Sequence, residues 1–127
     1  MMNAVTWFEI PAEDFERAVK FYETLLQISM RCEVINGEPN AFFPFDEAEK
    51  AVGGVVTKVP HAKPGSQGSI VYLNAHSVPI FDQALAQVEQ LGGSVVIPKT
   101  DLGPIGYVAV ITDCEGNRVG LSTSKPE

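Results

Sequence analysis

One structural plan occurs twice in this chain, and this internal repeat restricts the fold more than any other feature of the sequence. The two copies span residues 5–58 and 69–125. Each copy begins with a short apolar stretch, continues into an amphipathic segment and ends in strand-like segments around an acidic turn. In both turns an aspartate, Asp46 or Asp113, is followed six residues later by a Val-Gly step. Two copies are too few for a solenoid, so the repeat predicts a fused, pseudo-symmetric domain.

Length and charge narrow the class of protein. A chain of 127 residues has the length of one domain, which we predict to comprise a first module at about 4–58, a linker at 59–68 and a second module at about 69–125. The net charge of -7 argues against nucleic acid or an anionic membrane surface as a partner. With no secretory signal and no apolar stretch near the ~20 residues of a membrane span, we expect a cytoplasmic protein. Its two cysteines are far apart, which predicts free, reduced thiols.

Hydrophobic periodicity predicts the order β-α-β-β-β in each copy, and therefore an α+β fold. The first helix is indicated by apolar residues at i, i+3 and i+4 spacing: Phe15, Ala18, Val19, Tyr22, Leu25 and Leu26. The second begins after Ser77, a helix cap followed closely by Pro79, and ends before Gly92-Gly93. The predicted strands are at 5–10, 30–35, 41–45, 52–58, 70–74, 94–98, 106–112 and 118–122. The Asn36-Gly37 dipeptide predicts a tight hairpin.

Three segments together resemble the vicinal oxygen chelate superfamily, which includes glyoxalase I, extradiol dioxygenases and bleomycin-resistance proteins. They are the strand-to-helix entry at 8–22, the helix end at 91–93 and the turn at 113–121. The turn is similar to the family's Asp-Pro-Glu-Gly-Asn signature, with Cys114 where proline is usual. The stretch at 98–107 resembles a glyoxalase-like branch whose members are mostly functionally unassigned. The resemblance implies two tandem βαβββ modules whose curved mixed sheets surround a cup, a small-molecule ligand and a homodimer.

In metal-dependent members of this family, ligands come from the first and last strands of each module. The equivalent positions here are Trp7 and Gly53 in the first module, and Gly120 with Val71, or Ser69 if the strand slips by two, in the second. None of these residues is a plausible ligand for a divalent cation. The resemblance therefore predicts that this chain has no metal site of the family type and no cofactor. His61 and His76 lie at none of these positions.

Strand alternation then suggests what the cup contains. Trp7 and Glu9 share one strand face, and glycines at two former ligand positions are expected to leave space for an aromatic or cationic guest. Lys99 and Asp101 border the loop at 102–106, a candidate lid. The predicted ligand-binding residues are Trp7, Glu9, Gly53, Val71, Tyr107, Gly120 and Ser122.

Three functions remain open from the sequence. The first is binding of a small organic molecule without a metal. The second is a lyase or isomerase with Glu9 as general base, or with a metal on non-standard ligands; an ion pair of Glu9 with Arg31 or Arg118 is the competing structural role. The third is an accessory protein whose cup is collapsed, because Phe42, Phe43 and Phe45 could fill it. Acidic neighbours of Cys114 argue against a nucleophile, since they raise the pKa of a thiol.

Overall fold

A computed structural model of the chain describes residues 4–45 and 51–126, which form eight strands, two α-helices and one short 3-10 turn. The first module contains β1 (Trp7–Pro11), α1 (Phe15–Leu26), β2 (Arg31–Ile35), β3 (Glu38–Phe42) and β4 (Gly53–Thr57). The second contains β5 (Tyr72–Asn74), α2 (Val78–Gln87), β6 (Ser94–Asp101), the 3-10 turn (Gly103–Ile105), β7 (Tyr107–Thr112) and β8 (Arg118–Thr123).

The strands form two four-stranded mixed sheets with the same topology. Sheet A has the order β1-β4-β3-β2, and sheet B has the equivalent order β5-β8-β7-β6. In each, the first strand of the module pairs in parallel with the last, while the remaining pairs are antiparallel. The predicted α+β class with two tandem βαβββ modules is confirmed.

Both helices pack on one face of the sheets, where the apolar core lies. The largest fully buried side chains there include Phe21, Tyr22 and Leu25 of α1 and Phe81 of α2. Helix α1 begins at the predicted position, because the Asp14 side chain accepts a hydrogen bond from the Arg17 N–H. We call the face of each sheet that is turned away from the helices its open face.

The hairpin between β2 and β3 explains the largest difference from the predicted strands. Asn36 and Gly37 both have positive φ, 53° and 79°, and Ile35 pairs directly with Glu38. Such a two-residue turn leaves no room for a longer loop, so β3 starts at Glu38 and not at residue 41. Helix α2 also ends earlier than predicted, at Gln87, and continues into turns. Within the described residues, no helix is long and apolar enough to cross a membrane.

Candidate functional site

The acidic turn at 113–117 joins the two modules through a buried hydrogen-bond network. Asp113 is 2% exposed. Its carboxylate accepts hydrogen bonds from the Tyr22 hydroxyl of α1 and from the Glu115 and Asn117 backbone N–H groups. The Asn117 side-chain amide donates to Asp113 and to the Pro11 carbonyl of β1. Burial, with the Asp113 charge, raises the pKa of Tyr22 well above its usual value. The phenol therefore stays protonated and donates.

Glu115 of the same turn binds the start of α1. Its carboxylate accepts from the Glu13 N–H and from the Asp14 N–H at 3.2 Å, and it pairs with the Arg17 guanidinium at 3.2 Å. A carboxylate placed there satisfies backbone donors that have no partner within the helix. Two carboxylates of the family signature thus hold module 1 against module 2, which gives these residues a structural role.

Cys114 lies inside this turn and is 8% exposed. Burial, with a smaller contribution from the Asp113 charge, raises the pKa of its thiol to about 11. The sequence predicted that acidic neighbours raise this pKa, but burial makes the larger contribution. The thiolate is therefore scarce near neutral pH, and Cys114 is a poor nucleophile.

We expect a thiol reagent such as DTNB to label one cysteine per native chain rapidly at pH 8. Cys32 is exposed on β2, whereas Cys114 is buried, and at pH 8 a thiol with a pKa near 11 is ionised to roughly one part in a thousand. Unfolding should release the second thiol. A Cys32→Ser chain should show no rapid phase, and rapid labelling of both cysteines in the native protein would contradict this account.

The open face of sheet A carries Trp7 and Glu9, as predicted by alternation. Trp7 pairs with Gly53 and Glu9 pairs with Val55. Trp7 remains 42% exposed and its ring meets that of Phe42 edge-on, with centroids 5.9 Å apart. Glu9 is also exposed, so its carboxylate is not enclosed by apolar side chains within the chain.

The register of β5 corrects the assignment of Val71 to a metal-ligand position. Tyr72 pairs with Gly120 and Asn74 pairs with Ser122, so Tyr72 is the counterpart of Trp7. The side chains of the open face of sheet B are therefore those of Tyr72 and Asn74. Val71 belongs to the opposite side and packs against the core, as does Leu73.

The two glycines at former ligand positions do not leave empty space, contrary to our expectation. A Cβ atom on Gly120 would lie 2.2 Å from the Tyr72 ring, and one on Gly53 would lie 2.8 Å from the Phe45 ring. Each glycine instead admits an aromatic ring close to the strand. The aromatic rings, and not cavities, occupy these positions.

Tyr107 does not accompany Ser122 on the open face. It pairs with Thr123, while Ser122 pairs with Val108, so Tyr107 lies on the side of the sheet that faces the helices. Its ring lies between Lys99 and Lys125, whose Nζ atoms are 4.4 and 5.4 Å from the ring centroid. Of the two predicted lid residues, Lys99 pairs with Asp82 and Asp101 pairs with Lys125.

The residues at the four metal-ligand positions do not fit a divalent cation. With the corrected register these positions are Trp7, Gly53, Tyr72 and Gly120. None offers an imidazole, carboxylate or thiolate. Among residues 4–45 and 51–126, no cluster of three His, Cys, Asp or Glu side chains is arranged to hold a metal.

A cavity of about 710 Å³ lies between the modules, within the size range of small-molecule sites. Its wall contains core-side residues of both modules, such as Phe8, Leu26 and Leu73, together with exposed residues at the mouth. Among the described residues, the lining is formed by Val5, Phe8, Leu26, Ile28, Phe43, Pro44, Phe45, Ala51, Val52, Ser69, Ile70, Val71, Tyr72, Leu73, Asn74 and His76.

Of the predicted ligand-binding residues, only Val71 lines this cavity. Trp7, Glu9 and Gly53 lie on the open face of sheet A, and Gly120 and Ser122 on that of sheet B. His76 was not predicted as a lining residue, although the sequence places it directly before Ser77, the predicted cap of the second helix. The lining residues from module 1 were also not predicted; Leu26, for example, was assigned to the apolar stripe of the first helix.

Comparisons with known proteins agree with this architecture. No curated protein sequence matches the chain. Among solved structures, a glyoxalase/bleomycin resistance protein from Albidiferax ferrireducens T118 superposes with a TM-score of 0.69 at 20% identity, covering 98% of this chain and 100% of that chain. TnmS3, an antibiotic binding protein from Streptomyces sp. CB03234, gives 0.67 at 24% identity, covering 98% of each chain.

The fosfomycin resistance protein FosX from Listeria monocytogenes gives a TM-score of 0.65 at 10% identity, covering 100% of this chain and 95% of that chain. At such identities the likeness shows the fold alone. The family model for the Glyoxalase/Bleomycin resistance protein/Dioxygenase superfamily matches residues 4–121. The chain therefore belongs to the glyoxalase/bleomycin resistance protein/dioxygenase superfamily.

Proposed function

We propose that this protein binds a small organic molecule, without a metal, in the cavity between its modules. The observation that carries the proposal is the cavity itself, whose volume of about 710 Å³ is lined mainly by aliphatic and aromatic side chains with a few polar groups. Ligand sites in proteins have this composition. The likeness to an antibiotic binding protein supports a binding role. The misfit of the four metal-ligand positions supports metal independence.

The alternative functions have less support. Glu9 is exposed on the open face of sheet A and is not part of the cavity wall, so a general base at this position would act outside the cavity. The collapsed-cup hypothesis depended on Phe42, Phe43 and Phe45. Phe43 packs in the core against Phe8 and Tyr22, and Phe45 lines the cavity without closing it.

Thermal unfolding in the presence of a small-molecule library tests the proposal. A ligand at one hundred times its Kd should stabilise the folded chain by about 2.7 kcal/mol, and the shift should persist after dialysis against EDTA. Elemental analysis should find no stoichiometric transition metal. A library without a stabilising compound would count against a binding role, and stabilisation that disappears with EDTA would overturn metal independence.

We further propose that a second copy of the chain covers the open faces. Trp7 is 42% and Tyr72 is 49% exposed there, and a dimer that covers the open faces would bury both aromatic rings. On sheet A, Arg31 and Glu33 neutralise each other in an ion pair, which leaves Glu9 as an unpaired charge within the part of the chain that the structure describes. Sheet B presents Arg118, whose Nε is buried with no hydrogen-bond partner among the described residues. A two-fold arrangement of sheet A against sheet B would set faces with opposite unpaired charges against each other.

Light scattering after size exclusion tests the dimer. We expect twice the chain mass of 13.7 kDa for the natural chain and a single chain mass for Trp7→Arg, because the substitution places an unpaired cation in the interface. Val34→Arg on the outer edge strand, where Val34 is 74% exposed, is the matched control and should remain dimeric. A natural chain that is monomeric at micromolar concentration would contradict the proposal.

A further inference from the structure

The edge strands β2 and β6 differ in how well they are protected against pairing with another chain. Sheet A ends at β2, and sheet B ends at β6. Strand β6 contains Pro98, and its pairing with β7 shifts register twice, between Val95 and Ile97 and between Ile97 and Thr100. Prolines and bulges of this kind protect an edge strand. Strand β2 contains no proline, and all five of its residues pair with β3 in unbroken register.

The backbone of β2 faces outward at Cys32 and Val34. Ile35 and Glu38 flank the two-residue turn and form its hydrogen-bonded pair, so alternate residues of β2 direct their N–H and C=O groups to β3 and the others direct them outward. The partner of Val34 is Pro39, which has no N–H to donate, and this agrees with an outward-facing Val34. All residues of β2 are exposed, Val34 at 74%. The edge of sheet A therefore offers solvent-accessible backbone donors and acceptors to a further strand.

Charge distinguishes the registers in which two β2 strands can pair antiparallel about a two-fold axis through one of the central residues. An axis at Glu33 sets this carboxylate against its own copy, which is unfavourable. An axis at Val34 sets Cys32 opposite Asn36, whose positive φ in the turn ends the strand, so the ladder is short. An axis at Cys32 sets Arg31 opposite Glu33 on both sides of the axis. These are non-hydrogen-bonded pairs, in which cross-strand side chains lie closest.

We infer that β2 is a self-association edge, at which β2 of a second copy pairs antiparallel about an axis at Cys32. Charge complementarity identifies the partner, because the Arg31 and Glu33 side chains are 70% and 49% exposed, lie 3.0 Å apart and alternate correctly with those of an identical strand. The contact joins two copies of sheet A into one continuous sheet. It involves only a five-residue strand from each copy, so it is weak and forms at millimolar concentration. The dimer through the open faces is a separate contact.

Disulfide formation between two copies of Cys32 tests the register. With the axis at Cys32, the two Cα atoms form a hydrogen-bonded pair about 5.5 Å apart, within the range of roughly 4–7 Å that a disulfide spans. Oxidised glutathione is the oxidant: two Cys32 thiols become one disulfide, and glutathione disulfide becomes two glutathione thiols. Non-reducing electrophoresis of the full chain at millimolar concentration measures the rate at which the covalent dimer forms.

The matched control is a Val34→Cys, Cys32→Ser chain, which carries its thiol on the same exposed strand. In the proposed register the two copies of position 34 lie roughly 14 Å apart along the strands, too far for a disulfide. After each rate is divided by the DTNB rate of the same chain, we expect Cys32 to cross-link at least tenfold faster than the control. Equal normalised rates would indicate random collision and overturn the proposal. Faster cross-linking of the control would overturn the register.

Charge reversal tests the partner. Arg31→Glu and Glu33→Arg each set like charges opposite one another in a pair of identical copies, and each should slow the normalised cross-linking about fivefold. An equimolar mixture of the two variants restores opposite charges in both pairs, so the mixed product should exceed the statistical half of the total. Both sites are exposed, so the fold should be unaffected.

Unchanged cross-linking in both variants, or a mixture that yields only the statistical proportion of mixed product, would show that β2 does not recognise a second β2. Either result would leave the cavity and the open-face dimer untouched, because their measurements do not depend on this edge.

Discussion

Replacing Asp113 by alanine is expected to lower the free energy of unfolding by about 3 kcal/mol, and the melting temperature by about 10 °C. The substitution removes the acceptor for the Tyr22 hydroxyl and for the Glu115 and Asn117 backbone N–H groups. These donors lie in a region that water does not reach freely. Unsatisfied buried donors are more destabilising than the loss of an exposed hydrogen bond.

Two further variants distinguish the loss of this hydrogen-bond network from a general effect of removing a negative charge. Tyr22→Phe removes a single hydrogen bond and should destabilise by about 1 kcal/mol. Asp82→Ala removes an acidic residue whose side chain is 51% exposed and pairs with Lys99, and surface changes of this kind usually stay within about 0.5 kcal/mol. If Asp113→Ala unfolded no more easily than Asp82→Ala in urea titrations, the proposed role of the acidic turn would be wrong.

Replacing Val71 by tryptophan is expected to weaken binding of a cavity ligand by at least tenfold. Val71 is partly buried and lines the cavity, so the larger side chain occupies the volume that a ligand needs. Added apolar contacts within existing space need not destabilise the fold, and the melting temperature of the unliganded variant should stay within a few degrees of the natural chain. Calorimetry with the best compound from the library measures the effect.

The control for this variant is Val34→Trp, in which the same change is made on the exposed edge strand β2. It should leave ligand affinity unchanged. Unaltered affinity in Val71→Trp would place the ligand elsewhere, for example on the open face of sheet A that carries Trp7 and Glu9.

The repeat made most of the fold predictable from the sequence. The common spacing from aspartate to Val-Gly aligned the last strands of both modules, and the observed pairs Trp7–Gly53 and Tyr72–Gly120 occupy equivalent places. The predicted register of β5 was wrong by one residue, because Tyr72 and not Val71 pairs with Gly120. Ile70, Val71, Tyr72 and Leu73 are all apolar, so alternation could not indicate which of them faces the core.

The candidate site was harder to predict, for two physical reasons. A glycine opposite an aromatic residue suggests empty space, but the same geometry allows the ring to lie over the glycine, as Tyr72 does over Gly120. The cavity also brings together residues such as Leu26 and Leu73, which are distant in sequence and look like ordinary core residues. Their exposure to a shared cavity depends on how the two modules pack, which no local pattern encodes.

Chemical-shift mapping with the best compound from the library tests the central claim, a ligand site between the modules, most directly. On titration we expect the largest changes at the methyl groups of Val71 and Leu73 and at the His76 ring, with little change at the Trp7 indole N–H. Dominant changes at Trp7 and Glu9, with Val71 and Leu73 unaffected, would contradict a site between the modules.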